Sequence, residues 1–413
     1  IKQSELDTQT ATIDKKSAFG NLLPSINAST SHSWNIGLNQ DITTGLLRNQ
    51  TTQFTSTGMN VGIDIYKGLQ NQNNLRRANL ALVASKYQLL KMQEDIALNV
   101  ANAFLQVLFN KENLKVQLEQ LAINEKQLAR SSELVSVGVV PRGDLLDIKA
   151  SVAQTRQNVV AAENTLLISK LSLSQLLQLK DFENFDVVDV MDINNNATIL
   201  AQSPSAIIDK AKESRTELKI AQTNLEIAQK NLAIAKGAFQ PSLQGFYGFN
   251  SRISYADVAV ISGGVISTKP ANPFWTQFSD NKGQSFGAQL SIPIFNGLAT
   301  KNNVERSKVN LQKATIALEQ QNLNLERTIY TAFTDAKGAL KANESAISSF
   351  EARQEAYNYA KEKFAVGLMN SFDYNQAQTL LVNAQSEVLR TKYDSIFKIK
   401  ILEFYFGIPI IKN

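Results

Sequence analysis

The sequence predicts a mixed α/β membrane protein in which long antiparallel helical hairpins are combined with four transmembrane β-strands. Three observations predict this class. One large unit occurs twice along the 413 residues, which indicates an internal two-fold repeat. Two long stretches have helical periodicity and almost no glycine or proline. Four shorter segments alternate between apolar and small polar residues.

The repeat is visible as two pairs of matching segments. Residues 58–69 (GMNVGIDIYKGL) match residues 287–298 (GAQLSIPIFNGL) at an offset of 229, since 287 − 58 = 229. Gly138 and Gly367 lie at the same offset, each within a Val-Gly-hydrophobic turn, and each is followed six residues later by an aspartate. Two copies of one supersecondary unit are therefore joined in one chain.

Residues 69–135 and 298–364 are predicted to form two long helices. Neither contains proline, and the second contains a single glycine. Apolar residues between 96 and 128 recur at intervals of three, four or seven, which is typical of a coiled-coil-like seam. At 1.5 Å per residue each helix is roughly 100 Å long. Each is expected to turn at a glycine and to return through a shorter helix, near 143–179 and 372–406.

Four segments switch to a period of two. In residues 26–38 the larger or more apolar side chains alternate with serine, asparagine and glycine, and residues 59–65, 243–253 and 290–294 repeat this pattern. The alternation is typical of a membrane-spanning strand with lipid on one face and a wet lumen on the other. A half-solvated sheet packed on helices shows the same alternation, so both interpretations stay open at this point.

Four strands cannot close a barrel, and an open sheet edge is not tolerated in lipid. If the strands span a membrane, several chains must share the barrel. Two, three or four copies give eight, twelve or sixteen strands, all even numbers, as is usual for bacterial barrels. The strand connections at about 40–55 and 255–285 are expected to face outward as the longer loops of such a barrel.

Composition argues against several other functions. The 42 basic and 37 acidic residues are interspersed, without the basic stripe and interleaved aromatics typical of a nucleic-acid binder. Cysteine is absent, which excludes disulfides and thiolate metal sites. The one histidine, His32, has no partner motif, and no convergent titratable groups can be assembled. The sequence therefore predicts neither an enzyme nor a cofactor or metal site.

With the hairpins, strands and glycine turns in view, the chain closely resembles the TolC-like outer membrane efflux protein family over essentially its whole length. The resemblance includes the two Val-Gly-hydrophobic turns and the Pro-Ser-hydrophobic strand entries at Pro24 and Pro241. It also includes the Phe/Tyr-x-Gly strand exits at Tyr66 and Phe295. Arg-Thr-Glu-Leu at 215–218 is similar to the family's Arg-Pro-Glu-Leu, with threonine in place of proline.

The resemblance implies a homotrimer in which twelve strands form one shared β-barrel and twelve helices continue it as a periplasmic α-barrel tunnel. It implies the exit duct of a tripartite efflux or type I secretion system, in the outer membrane of a Gram-negative bacterium. Substrates would pass from an inner-membrane pump, by way of a periplasmic adaptor, to the exterior. The alternative is a periplasmic coiled-coil scaffold or adaptor without a pore, which explains the helices but not the strands.

On this basis the chain divides into eight consecutive segments. They are a periplasmic helix at 1–23, a β-hairpin at 24–67, a periplasmic helical hairpin at 68–179, an equatorial segment at 180–203, a periplasmic helix at 204–240, a second β-hairpin at 241–296, a second periplasmic helical hairpin at 297–406 and a tail at 407–413. Pro24 aligns with Pro241 at an offset of 217, since 241 − 24 = 217, which places Ile1 inside a helix of the second copy. Further helical residues and any targeting segment are therefore expected upstream of Ile1.

The two helix turns are the predicted functional sites, because the resemblance implies that they lie at the periplasmic tip. A glycine permits the tight turn between helices, and an exposed apolar residue beside it has little structural reason to be there unless a partner covers it. The expected adaptor-docking residues are Gly138, Val139, Val140, Gly367, Leu368 and Met369.

The predicted channel entrance consists of one arginine and three aspartates, Arg142, Asp144, Asp147 and Asp373. In an oligomer each aspartate becomes a ring, and acidic rings favour cations. Carboxylates in the first turn of a helix also stabilise its N-terminus, so both roles stay open. Better-known family members have a second acidic residue and an arginine in the second turn, where this chain has Gln376 and Met369. Their salt-bridge latch is therefore not expected here, and Arg142 is the candidate for a related role.

Overall fold

The computed structural model describes residues 1–40, 45, 47–181, 185–188, 197–262 and 265–408. The helices are α1 Lys2–Gly20, α2 Gln70–Ser136, α3 Arg142–Leu176, α4 Pro204–Ser214, α5 Thr216–Gly237, α6 Phe274–Asp280, α7 Ala299–Ala365 and α8 Ser371–Phe406, with a 3-10 helix at Ala197–Ala201. The strands are β1 Ser25–Gln40, β2 Leu47–Lys67, β3 Ser242–Ser254, β4 Val258–Ser262, β5 Val265–Lys269 and β6 Gly283–Ser291.

The longest elements are α2 and α7, each of 67 residues, which corresponds to roughly 100 Å of helix. Each is followed by a tight turn and a returning helix, α3 of 35 residues or α8 of 36. Together with the four-stranded sheet, these helices confirm the predicted fold class. None of the helices in the described ranges is both long and apolar enough to cross a membrane.

Two compact units divide the chain. The first comprises Ile1, Tyr87–Lys219 and Glu319–Asn413, and the second comprises Lys2–Lys86 and Ile220–Leu318. The first unit is helical, and the four-stranded sheet belongs to the second unit.

The first unit contains three buried apolar clusters. The largest joins α4, α5, α7, α8 and the 3-10 helix, with Ile207, Ile329 and Leu402 fully buried at its centre. A second cluster joins α2, α3 and α8 around Val107, and a third lies close to the second helix turn around Tyr374. These clusters follow the apolar faces that the helical periodicity predicts.

The four-stranded sheet in the second unit is antiparallel throughout, with the strand order β1-β2-β3-β6. Ser25 pairs with Gly62 in the first hairpin, and Ser242 pairs with Ser291 in the second. The differences, 242 − 25 = 217 and 291 − 62 = 229, are the two sequence offsets of the repeat. The duplication therefore extends to the strand register, and the β2–β3 pair joins the two copies.

One face of this sheet presents exposed apolar side chains. In β1 Ile26, Trp34 and Ile36 are exposed, and in β6 Phe286 and Leu290 are exposed. A sheet packed on helices would bury these side chains, whereas lipid contact requires an outward apolar face. The exposure favours the membrane-spanning interpretation over the half-solvated sheet.

Several boundaries differ from the sequence-based ones. The first strand connection is shorter than expected because β2 begins at Leu47; residues 47–55 lack apolar alternation but are rich in threonine, which favours strands,. The second connection, 255–285, contains β4, β5 and α6. Of the equatorial segment 180–203, residues 182–184 and 189–196 lie outside the described residues, as do residues 409–413 of the tail.

The single helix expected over 204–240 is two helices, because Arg215 has an extended backbone between α4 and α5, with φ −67° and ψ 130°. Its guanidinium donates to both carboxylate oxygens of Glu217, at 3.1 and 2.8 Å, and to Glu94 at 3.2 Å. It also lies 4.1 Å from the ring centroid of Phe404. The Thr216 hydroxyl donates to Glu94 at 3.1 Å, a bond that the proline of the family motif could not make,.

The Arg215 side chain is only 5% exposed, so these carboxylates compensate a positive charge that water cannot solvate. Burial by itself raises the pKa of Glu217, but the hydrogen bonds and positive charge of Arg215 outweigh burial and hold that pKa below its ordinary value. A carboxyl group whose pKa is lowered by folding stabilises the fold above its unfolded pKa. This contribution is lost as the pH falls through the lower, folded value.

We expect Arg215→Ala to reduce the free energy of unfolding by roughly 3 kcal/mol, since it leaves two largely buried carboxylates without their partner. The measurement is thermal or denaturant unfolding followed by circular dichroism. The difference between the variant and the unmodified chain should shrink as the pH falls below about 4.5, the ordinary value for Glu217.

The matched control is Arg390→Ala. Arg390 forms a bidentate pair with Glu387, but both side chains are about half exposed, and such pairs contribute only about 0–1 kcal/mol. Equal losses in the two variants would contradict a special role for the buried arginine.

Candidate functional site

The two helix turns share one backbone geometry. Gly138 and Gly367 have φ values of 75° and 78°, in the left-handed region that favours glycine,. Each glycine N–H donates to the carbonyl three residues back, and the next residue's N–H donates to the carbonyl five residues back. These two bonds define a Schellman motif. The Val-Gly-hydrophobic pattern therefore encodes the same helix stop in both copies of the repeat.

The residues after the glycines differ in exposure. Val139 and Leu368 are 68% and 77% exposed, whereas Val140 and Met369 are half-buried. Met369 packs against the Tyr374 cluster, so the turn itself has a structural use for it. Among the described residues no apolar cluster covers Val139 or Leu368 in this way, so both form exposed apolar surface,.

Sequence reasoning missed two further exposed apolar residues at this end of the helices. Val137 and Val366, the residues before the glycines, are as exposed as Val139. In the sequence they are the first residues of the two Val-Gly-hydrophobic turns, so the motif itself could have identified them. Each turn therefore presents a pair of uncovered apolar side chains on either side of its glycine.

The second returning helix begins with a reciprocal cap. The Asn370 Oδ1 atom accepts a hydrogen bond from the Asp373 N–H at 2.8 Å, and the Asn370 amide donates to the Asp373 carboxylate at 3.0 Å. The first bond is the N-cap half of a capping box, whereas the second joins the two side chains instead of reaching the Asn370 backbone N–H. The Asp373 carboxylate is exposed, so it serves as a cap while still carrying charge at the surface.

The first returning helix has no side-chain cap, because its N-cap residue is Pro141. Its aspartates instead meet the other hairpin. The hydroxyl of Ser371, the buried first residue of α8, donates to Asp144 at 3.1 Å and to Asp147 at 3.3 Å. One proton is thus shared between two carboxylates, and α3 is held against α8 by a polar contact. Arg142, at the start of α3, is exposed.

The structure therefore brings Asp144 and Asp147 together at Ser371, while the hydrogen bonds of Asp373 lie within its own turn. Sequence reasoning missed Ser371. The residue lies 227 positions from Asp144, and no local pattern links the two.

A tyrosine pair closes the second hairpin beside its turn. Tyr357 and Tyr374 are buried, and their hydroxyls lie 2.9 Å apart. The ring of Phe364 stacks on Tyr374, with centroids 4.6 Å apart. Burial and the hydroxyl of Tyr357 raise the pKa of Tyr374 well above its ordinary value, so it stays a neutral hydrogen-bonding group. In the first hairpin, the positions 229 residues before these three aromatic residues are occupied by aliphatic residues, Leu128, Val135 and Leu145.

Buried amides connect the hairpins further along the helices. The Asn124 amide on α2 donates to Thr155 on α3 at 2.8 Å, and Gln378 on α8 donates to the Asn124 carbonyl oxygen at 2.8 Å. All three side chains are buried. Such a contact is satisfied in only one alignment of the helices, so it specifies the register with which α8 packs on the first hairpin.

Within the described ranges no group of three or more histidine, cysteine, aspartate or glutamate side chains could hold a metal ion. The chemistry that the turns do present is exposed apolar surface, three carboxylates and one guanidinium. This combination suits binding a partner and selecting charge.

Comparison with known proteins agrees with this geometry. Residues 1–178 and 207–396 match the family model described as outer membrane efflux protein. Among curated relatives, the outer membrane protein TolC of Escherichia coli K12 is 21% identical over 364 residues, which cover 87% of this chain and 71% of TolC.

Two solved structures have the same fold. The outer membrane protein VceC of Vibrio cholerae superposes with a TM-score of 0.79 at 14% identity, over 98% of this chain and 92% of that one. The Campylobacter jejuni CmeC outer membrane channel superposes with a TM-score of 0.79 at 19% identity, over 100% of this chain and 84% of that one. With the family model matched over most of its length, the chain belongs to the outer membrane efflux protein family and is an outer-membrane exit duct of a Gram-negative efflux or secretion system.

Proposed function

We propose that three copies of this chain form one passive duct, which binds a periplasmic adaptor through the two helix turns and receives substrates from an inner-membrane pump. The observation that carries the proposal is the open four-stranded sheet, with its apolar outer face and its two unpaired edges. In lipid such edges must be paired, and copies of the chain supply matching strands.

Three copies of four strands give a twelve-stranded barrel, an even number within the range of bacterial barrels. Two or four copies would also close the edges, and the family resemblance favours three. The barrel is proposed to contact outer-membrane lipid only through its exposed apolar face. The proposed partners do not include nucleic acid.

The family and its relatives are channels. We propose that the chain catalyses no reaction and that the pump supplies the energy for transport. The helix turns fit a role in docking rather than in catalysis, because they offer an apolar surface and acidic charge. Apolar patches on a turn that is otherwise satisfied by its own backbone bonds are typical of docking sites.

The first test is the native mass of the protein extracted from the outer membrane in mild detergent, corrected for bound detergent. A chain of 45.6 kDa gives 3 × 45.6, about 137 kDa, for a homotrimer. The trimer should dissociate on heating and should conduct ions in planar bilayers. A water-soluble monomer absent from the membrane fraction would contradict the duct and favour the periplasmic scaffold.

The second test concerns docking. We expect the double variant Val139→Gln, Leu368→Gln to abolish export without lowering the yield of the trimer, because both side chains are exposed. Loss of contacts worth about 2 kcal/mol weakens binding roughly thirty-fold. The measurements are export in cells and pull-down of the adaptor.

The control for docking is Tyr359→Gln, an equally exposed side chain on α7 whose repeat partner, 229 residues earlier, is the exposed Arg130. A polar residue is tolerated at that position, so export should persist. Loss of the trimer in the double variant would instead assign Val139 and Leu368 to folding or assembly.

The third test concerns the entrance. Replacing Asp144, Asp147 and Asp373 with asparagine removes the charge and keeps a hydrogen-bond acceptor, so the cap at Asp373 and the Ser371 contact can persist,. If the three carboxylates line the entrance, the preference of the channel for cations should fall. The reversal potential in a salt gradient should then move toward zero. An unchanged reversal potential would leave these aspartates with capping and packing roles alone.

A further inference from the structure

The two edge strands of the sheet define a second surface. β1 and β6 each have a neighbour on one side only, whereas β2 and β3 are paired on both sides. The β2–β3 pair is also where the first copy of the repeat meets the second. In a ring of identical chains, this boundary recurs between β6 of one protomer and β1 of the next.

The end of β6 indicates the missing neighbour directly. β2 continues to Lys67, and its last residues pair only with β3. β6 ends at Ser291 rather than at Asn296, the residue 229 positions after Lys67. No strand of the described residues pairs with residues 292–296, and Phe295 is 79% exposed. The second copy thus has the sequence of a longer strand but lacks the partner that would extend it.

Two glycines indicate where that partner lies. Gly68 and Gly237 meet backbone to backbone: a methyl group added to Gly68 would lie 2.0 Å from the Gly237 carbonyl oxygen, and one added to Gly237 would lie 2.3 Å from the Gly68 carbonyl oxygen. At the repeat offsets their counterparts are Gly297 and Gly20. A methyl group on either of these meets nothing within 4 Å. Gly297 has a positive φ of 63°, but Gly20 does not, so nothing in the described part of the chain explains why Gly20 is glycine.

We propose that Gly20 of one protomer packs against Gly297 of the next, and that β6 pairs with the neighbouring β1 in the register of the β2–β3 pair. This rests on the homotrimer of the proposed function. Ile63 pairs with Gly245 within the chain. Their repeat counterparts are Ile292 and Ala28, since 63 + 229 = 292 and 245 − 217 = 28, so Ile292 is expected to pair with Ala28 of the neighbouring copy. The pair Thr57 and Ser251 becomes Phe286 and Trp34 in the same way.

The alternation of side chains agrees with this register and argues against a slip by an odd number of residues. Trp34 and Phe286 both lie on the exposed apolar faces of their strands. In the proposed register every apolar-face residue of β6 lies opposite an apolar-face residue of β1. A slip by one residue would place the apolar face of one strand beside the polar face of the other.

A difference between the two copies of the repeat, at two positions in contact, supports the same packing. Within the chain, the Tyr66 hydroxyl donates to the side-chain oxygen of Gln240, directly beside the two touching glycines. The repeat counterparts are Phe295 and Leu23, both exposed. A polar pair in one copy is thus an apolar pair in the other. Both members differ together, as expected if Phe295 meets Leu23 of the next protomer, because a single change would leave a polar group unpaired.

The test uses the absence of cysteine from the chain. Residues opposite each other in an antiparallel pair have Cα atoms about 4.5–5.5 Å apart, within the range that a disulfide spans. Oxidation of Ala28→Cys, Ile292→Cys in outer membranes should yield a covalent trimer of about 137 kDa, three times 45.6 kDa. The slipped control, Ala28→Cys with Ser291→Cys, places the thiols on opposite faces and should lose this product.

A glycine variant tests the contact without cysteines. Gly20→Ala should reduce the yield of trimer and leave folded monomer, because the methyl group has open space within the chain. The control is Gly143→Ala, which also meets nothing within 4 Å and whose repeat counterpart is the exposed Phe372. This control should assemble normally.

The outcomes separate this inference from the proposed function. A trimer by native mass that cross-links at the slipped pair, or at neither pair, overturns the register and leaves the duct standing. A normal trimer yield from Gly20→Ala overturns the glycine contact. A monomeric unmodified chain removes the homotrimer itself.

Discussion

Backbone hydrogen bonding at the edges of one small sheet constrains the whole molecule. Within a bilayer each strand N–H and C=O must be bonded to another strand, since water is absent. The chain meets this requirement at three strand pairs and leaves β1 and β6 each with one unpaired side. In the proposed duct, closure comes from copies of the same chain. In that proposed assembly the helices of each chain must repeat with the symmetry that closes the sheet.

The duplication explains how one sequence can satisfy that symmetry. The two β-hairpins have the same register at the offsets 217 and 229, so the contact inside the chain is a template for the proposed contact between chains. The copies differ where their surroundings differ. Asp64 and Lys67 form an ion pair at 3.0 Å in the first copy, whereas the second copy has Pro293 and Asn296 there. In the proposed trimer, this near-symmetry allows one junction to be internal and the other intermolecular.

Local chemistry made much of this fold predictable. Proline-free stretches with helical spacing predict α2 and α7, and the Val-Gly turns predict their ends. Asn370 followed three residues later by Asp373 is a readable cap. Other features depend on residues distant in sequence. The break at Arg215 is stabilised by Glu94, 121 residues away, and Ser371 reaches Asp144 across 227 residues. Spacing rules describe one element at a time, so they cannot identify such pairs.

Repeat symmetry also separates two kinds of exposed apolar surface. Phe295 is exposed while its counterpart, Tyr66, is partly covered by the chain itself, and we propose that a second copy of this chain covers Phe295. Val139 and Leu368 are counterparts that are both exposed, so neither copy of the repeat supplies a cover for the other. A molecule that binds there has to be of another kind. We therefore propose the seam between strands as the surface for self-assembly and the helix turns as the surface for a different protein.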